Sequence, residues 1–307
     1  MPSLRQLEYL VALAQELHFR RAAERVNVTQ PTLSAQLQQL EKRLKVPLIE
    51  RGAGGVMLTP LGREVAARAR IILAQVQDIR DLASSSQHGF EGTVRLGVPP
   101  TLGPYLLPHI VPRLHGAYPD MKLYVREEKP GALINELLAG GHDIVIVPMP
   151  VVRSDVTVEP LFREPLRLVC APDHRLVGHD TISRSDLAGE NVLAMESGHH
   201  LHDQVSRICE DFGAVLLRDY EGTSLDTLRL MVGMGVGIAF LPALYVRTEI
   251  GNREEITVLD LNMPSLQRQV ALVWRQSAVH SNLFGDLAAM IRTIAKEELA
   301  ELTVTDR

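Results

Sequence analysis

The chain has 307 residues, 46% hydrophobic and only 4% aromatic, with a formal net charge of -5, enough apolar material for two or three compact units with ordinary cores. Its amino terminus lacks the basic-then-apolar layout of a secretory signal, and no uncharged apolar run approaches the roughly 18 residues needed to span a bilayer, so a cytoplasmic protein with no membrane partner is expected. Two cysteines, Cys170 and Cys209, exclude a disulfide framework and give no C-x-x-C metal spacing.

The charge is uneven. Residues 1–60 carry eight Lys or Arg against five acids, a surplus of three that leaves -8 on the remainder, so the amino-terminal end is the one suited to a polyanion. There, Leu7, Leu10, Val11 and Leu13 recur at helical spacing, and "HFRRAAERVNVTQPTLSAQLQQLEKRL" reads as two short helices hinged at residues 27–30. Thr29 is the expected N-cap of the second, with Pro31 at an early position where its missing N–H costs nothing. Leu33, Leu37, Leu40 and Leu44 turn to the core, leaving Gln30, Pro31, Thr32, Ser34, Gln36 and Gln38 for other faces. Amides bond adenine bidentately and hydroxyls bond bases or phosphates, so this set suits a helix entering the major groove of double-stranded DNA; a merely solvated polar face is the alternative.

Next, "VPLIERGAGGVMLTPLG" predicts two short strands, around residues 48–50 and 56–58, joined by a Gly-rich tip. A hairpin after a helix-turn-helix is a wing, and Arg51 at its base is placed for phosphate or a narrow minor groove. Thr59 caps a further helix with Pro60 at its first position, along which Val65, Ala69, Ile72, Val76, Ile79 and Ala83 form a coiled-coil seam that needs a partner. Polar "SSSQHGFEG" then reads as a linker.

"FRRAAERVNVTQPTLSAQLQQLEKRLKVPLIER" with "LTPLG" resembles the amino-terminal domain of the LysR-type transcriptional regulators, and the resemblance continues through the remaining chain. It implies a winged helix-turn-helix, a dimerising linker helix, and an α/β effector domain of two lobes like the periplasmic binding proteins. It also implies a homotetramer built as a dimer of dimers, with RNA polymerase as a further partner. The corresponding expectation is a DNA-binding domain at 1–59, linker helix and hinge at 60–91, and effector domain at 92–300. Within the last, lobe I takes about 92–161 and 268–300 and lobe II about 162–267.

The carboxy-terminal part supports this independently. The runs "TVRLGVP", "MKLYVRE", "DIVIVPM", "LRLVCAP", "NVLAME", "GIAFLP" and "QVALVW" read as strands, alternating with helical runs at 104–117, 131–139, 201–212, 224–234 and 282–295. That alternation predicts parallel sheets, with the chain crossing between lobes near 160–166 and 264–270. Ligands in such folds bind outside the strand carboxyl ends, which nominates Pro100, Thr101, Pro148, Ser197, His199, His200, Thr223 and Ser224 as a small polar pocket for an effector that is anionic or rich in oxygen.

"GPYLLPHI", "TSLDTLR", "FLPAL" and "GH" followed by "DQ" are most similar, within that family, to the OxyR-type peroxide sensors. In those, a peroxide-reactive cysteine follows the "GH" histidine and a resolving cysteine lies nine residues on. The resemblance puts His199 on the histidine and Cys209 on the resolving cysteine, with His200 in the place of the reactive one, and Pro130 where the sensors have a peroxide-contacting threonine. An imidazole cannot form the sulfenic acid that condenses to a disulfide. A thiol switch would therefore have to use Cys209 and/or Cys170, whose pairing in one disulfide has narrow geometry; that redox reading is the alternative to a ligand-responsive regulator. His199 and His202, like His200 and Asp203, are spaced i, i+3, but a metal site needs three or four ligands and no more are delivered, so neither metal nor cofactor is expected. No G-x-S-x-G, Walker or G-x-G-x-x-G signature points to an enzyme. A solute-binding protein would share the cleft but not the winged helix.

Overall fold

The computed structural model describes residues 1–52, 55–84, 92–251, 254–261, 263 and 266–305, with the backbone alone for 51, 52, 55 and 78–84. The chain forms two compact units, Met1–Gly89 with Asn135–His142, and Phe90–Ile134 with Asp143–Arg307.

The first unit opens with α1 (Leu4–Glu16), α2 (Phe19–Arg25) and α3 (Gln30–Leu44). Each start has a local cause. Ser3 and Gln6 form a capping box on α1, and the Thr29 hydroxyl accepts from the Thr32 N–H on α3. Leu10, Leu13, Leu33, Leu37, Leu40 and Leu48 are fully buried where these helices meet. Beneath them the antiparallel hairpin β1 (Ile49–Gly52) and β2 (Gly55–Leu58) is tied to α3 by Glu41, whose Oε1 accepts from the N–H groups of Leu48 (2.7 Å) and Ile49 (3.0 Å). The helix α4 (Pro60–Ser84) follows, capped by the Thr59 hydroxyl accepting from the Gly62 N–H at 2.8 Å. Gly62 has no latitude: a Cβ there would lie 2.1 Å from the Leu48 carbonyl oxygen. Of the expected seam, Ala69 is buried, Val65 and Val76 are half-buried and Ile72 is exposed; the side chains of Ile79 and Ala83 lie outside the described residues.

The second unit contains β3 (Gly92–Val98), α5 (Gly103–Ala117), β4 (Met121–Glu127), β5 (Ile144–Pro148), β6 (Val156–Cys170) and β7 (Asn191–Met195). It continues with α7 (His200–Phe212), β8 (Val215–Gly222), α8 (Leu225–Gly233), β9 (Ile238–Pro242), α9 (Ala243–Tyr245), β10 (Thr257–Leu259), β11 (Gln267–Arg275), α10 (Ser281–Glu298) and β12 (Thr303–Val304). Helix α6 (Pro130–Leu138) lies between β4 and β5 in the chain. The strands run in the order β4-β3-β5-β11-β6-β9-β7-β8, with β10 and β12 also on β6.

Two cores result. Val94, Leu96, Ile144, Ile146, Leu272, Phe284 and Ile291 fill lobe I, while Leu168, Val192, Leu193, Val205, Ile208, Leu228 and Phe240 fill lobe II. The continuous apolar run of β5 is buried at every position, as a strand covered on both faces requires.

Two expectations change here. The pairs β3–β4, β3–β5, β7–β8 and β7–β9 are parallel, but β11 runs antiparallel to β5 and β6, and β6 antiparallel to β9, because the crossing strands return against their neighbours. And β6 begins at Val156, well before the "LRLVCAP" run, so one strand serves both lobes. Its prolines hide it in the sequence. Pro160 sits beside a register shift in the ladder, where the missing N–H is tolerated.

Candidate functional site

On α3, Gln30, Pro31, Thr32 and Gln38 are exposed, while Ser34 and Gln36 are half-buried. One flank of the helix is held by Gln6, 1% exposed on α1. Its Nε2 donates to Gln36 Oε1 (3.1 Å) and Gln39 Oε1 (3.0 Å), and its Oε1 accepts from the Arg43 guanidinium (3.2 Å). Gln36 thus spends its oxygen inside the domain and presents only its amide N–H groups elsewhere. The Thr32 hydroxyl lies 2.8 Å from that of Thr29. The backbone of Arg51 belongs to β1, and its side chain lies outside the described residues.

The effector candidates come from the ends of β3, β5, β7 and β8. Thr101, 5% exposed, sits just after β3 and is held by Arg268 of β11: one guanidinium N–H donates to Thr101 Oγ1 (3.0 Å) and another to its carbonyl (2.8 Å). Arg268 also donates to Glu164 Oε2 of β6 at 2.8 Å, while Glu164 Oε1 accepts from the Leu244 N–H at 2.9 Å. Glu164 and Arg268 face each other in register, one on each crossing strand. Neither was nominated from the sequence; the visible signal was charge inside otherwise strand-like runs, three charged residues in "FREPLRLV" and one in "LQRQVALVW".

On lobe II, β7 ends at Met195 and Glu196–Gly198 follow it, where Gly198 takes φ +88° and turns the chain into α7. Lys129 on lobe I lies 2.9 Å from Glu196 Oε1 and donates to the Ser197 carbonyl at 3.3 Å, so the lobes are pinned at this rim. His199, 4% exposed at the N-cap of α7, approaches the same Glu196 oxygen at 3.6 Å. His200 is half-buried and donates to the Met149 carbonyl beyond β5, leaving its buried Nδ1 without a partner. Gln204, one turn on, donates to the Gln267 carbonyl (3.0 Å), and its buried Oε1 is likewise unpartnered. Pro148 is buried and Pro100 half-buried in the facing loops. The structure therefore gathers Thr101, Ser197, His199 and His200 around the junction of the lobes. Thr223 and Ser224 are exposed at the start of α8, where Ser224 accepts from the Thr227 N–H at 3.1 Å as a cap.

The electrostatics favour neutral imidazoles. Burial pushes His199 below its ordinary value, with Lys129 adding to the effect, and burial followed by Arg268 does the same to His200. Both cysteines are free: Cys170 is 0% and Cys209 4% exposed, and burial raises each thiol to about 11, which removes the thiolate that peroxide chemistry needs. Among the described residues no group of three His, Cys, Asp or Glu is placed to hold a metal, and no helix is long and apolar enough to cross a membrane.

Residues 4–63 match the bacterial regulatory helix-turn-helix of the lysR family, and residues 87–296 match the LysR substrate binding domain. The chain is 40% identical over 291 residues to the DNA-binding transcriptional dual regulator OxyR of Escherichia coli, covering 94% of this chain and 95% of that one. It is 33% identical over 298 residues to the HTH-type transcriptional regulator EstR of Acinetobacter baylyi, covering 96% and 97%. A solved structure of a full-length OxyR variant from Pseudomonas aeruginosa aligns with a TM-score of 0.80 at 35% identity, over 99% of this chain and 98% of that one.

Proposed function

The chain belongs to the LysR family of DNA-binding transcriptional regulators, relatives that are not enzymes, and on that premise we propose that it reads an interrupted palindromic operator and answers to a small molecule in the inter-lobe cleft. Residues 1–59 are the DNA-binding domain, 60–91 the linker helix and hinge, and 92–300 the effector domain. Gln30, Pro31, Thr32, Ser34, Gln38 and the N–H groups of Gln36 are the residues that contact the operator on α3, and Arg51 adds a contact to phosphate or to a narrow minor groove. The observation that carries this reading is the exposed polar start of α3, set rigidly by the Gln6 network behind it.

The seam on α4 pairs two chains and the effector domains join two pairs, so a symmetric assembly meets symmetric half-sites in the cytoplasm and engages RNA polymerase there. The effector lies against Ser197, His199, His200, Thr223 and Ser224, with Pro100, Thr101 and Pro148 as the opposite wall. It is not sensed through a thiol, a reading supported by the burial of both cysteines. Fluorescence anisotropy on a palindromic promoter fragment at graded salt tests the assignment. Wild-type affinity should fall steeply with salt, and a Thr32→Ala, Ser34→Ala, Gln38→Ala variant should change the preference among sites. Unchanged affinity and site choice in that variant defeats the recognition-helix reading.

A further inference from the structure

Strand β6 is flanked along its length by two short partners. β12 pairs with it at Phe162 and Arg163 and β10 at Leu168–Cys170, while of the residues between them Glu164 and Pro165 pair with β11 and Leu166 and Arg167 with β9. A cavity of about 270 Å³ opens beside this stretch. Leu259, Leu261, Met263 and Leu266 supply apolar wall, Gln267 and Thr303 are its uncharged polar residues, and Arg167 is the charged one among the described lining residues.

Arg95, Arg153, Arg268 and Arg292 each have a carboxylate partner, whereas the side chain of Arg167, half-buried on a strand paired with β9, makes no hydrogen bond or ion pair among the described residues. A guanidinium held beside leucines without a partner gives up hydration and gains nothing in return. No acidic side chain is among the described residues that line the cavity, so a cation is disfavoured. The planar fork matches a carboxylate, and the apolar wall asks for a hydrocarbon body. A multiply charged anion would press its second charge against the leucines. The volume, just below the range of drug-sized pockets, suits an aromatic or medium-chain acid.

We propose that this cavity is a second ligand site, for an amphipathic monocarboxylate whose carboxylate pairs with Arg167, distinct from the cleft of the proposed effector. Its position gives it a route to that cleft. Gln267 precedes Arg268, stands opposite Pro165 in the ladder, and accepts through its carbonyl from Gln204 of α7, the helix that carries His200. Filling the cavity therefore biases the strand pair that sets Arg268 against Glu164, and any coupling to the cleft is reciprocal.

Isothermal titration of the full-length protein with octanoate and with octanamide, its neutral counterpart, tests the site. Wild type should bind octanoate about tenfold or more tightly than octanamide, the margin of a charge-assisted bond. Arg167→Gln should erase that difference, Arg167→Lys should keep part of it, and Leu261→Trp, which fills the cavity, should remove binding of both. A wild-type unfolding transition of the effector domain certifies that each variant is folded. Equal affinity for the two probes in wild type, or wild-type octanoate binding in Arg167→Gln or Leu261→Trp, overturns the proposal. Ser224→Ala separates the two sites: retained octanoate affinity supports a site apart from the cleft, and its loss there with retention in Arg167→Gln places the acid in the cleft and refutes the proposal.

Discussion

Glu164 and Arg268 are 0% and 2% exposed, and removing one member of such a pair strands the other in a medium that solvates it poorly. Glu164→Gln should cost about 3–5 kcal/mol of stability in denaturant unfolding, whereas replacing both residues by methionine should cost less, since burying a pair has a desolvation penalty of its own. A double variant as unstable as the single one would contradict this. The histidines give a second residue-level expectation. His199 and His200 have folded values depressed below the ordinary 6.5, so below that pH the unfolded chain takes up protons that the folded chain resists. Stability from these groups is present above 6.5 and is lost as pH falls from 6.5 through their folded values. The unfolding midpoint should therefore drop from roughly pH 7.5 to 5.5, and His200→Asn should flatten the drop; an unaltered slope in that variant assigns the dependence elsewhere. From the sequence, His199, His200 and Thr101 were legible as candidates because they follow strand ends. Arg268, Glu164 and Lys129 were not, because their roles arise only when segments more than sixty residues apart meet.

Among the elements, α3 shows what periodicity can and cannot reveal. Its leucines announce the buried stripe, and Thr29 with Pro31 announces its start. Gln6 announces nothing, since an amide in a helix reads as solvated until a second helix covers it. Gln6→Ala should destabilise the amino-terminal unit by about 1–3 kcal/mol by leaving polar partners unpaired, and should weaken operator binding although Gln6 itself is only 1% exposed. Gly62 is the comparable case at the start of α4. The motif "LTPLG" marks it, but the reason, a Leu48 carbonyl where a Cβ would sit, is visible only in three dimensions. Gly62→Ala should cost about 1–3 kcal/mol by overpacking, read as a lower unfolding midpoint; a neutral effect would mean the hairpin moves aside freely. Strand β6 was half-read for a different reason, since its prolines break the pattern that the eye follows.

For the whole molecule, alternation of strands with helices was enough to indicate a two-lobed α/β effector domain, but not the antiparallel return of β6 and β11, which short-range pattern does not encode. Assembly is the property to test at this scale. Ile71 and Ile72 are 41% and 42% exposed on α4 in the single chain, an apolar edge consistent with a partner helix. Ile72→Asp with Val76→Asp should abolish the dimer by burying unpaired charge, and light scattering that still finds the native oligomer would refute the seam. The regulatory response itself should survive Cys209→Ser, with peptide mass spectrometry after peroxide finding both cysteines as thiols; loss of the response in a folded Cys209→Ser protein would restore a redox mechanism.

The single strand Val156–Cys170 has a consequence for how such regulators can be recombined. It pairs with β11 at one end and with β9 at the other, so neither lobe owns it. A crossover that exchanged one lobe between two homologues would have to splice mid-strand, where a slip of one residue turns every side chain over to the opposite face. Glu164 would then point away from Arg268. Exchange of the complete effector domain leaves this ladder untouched, so new specificities should be inherited by swapping both lobes together, and libraries of chimeras should yield folded regulators when the joints avoid residues 156–170 and 267–275.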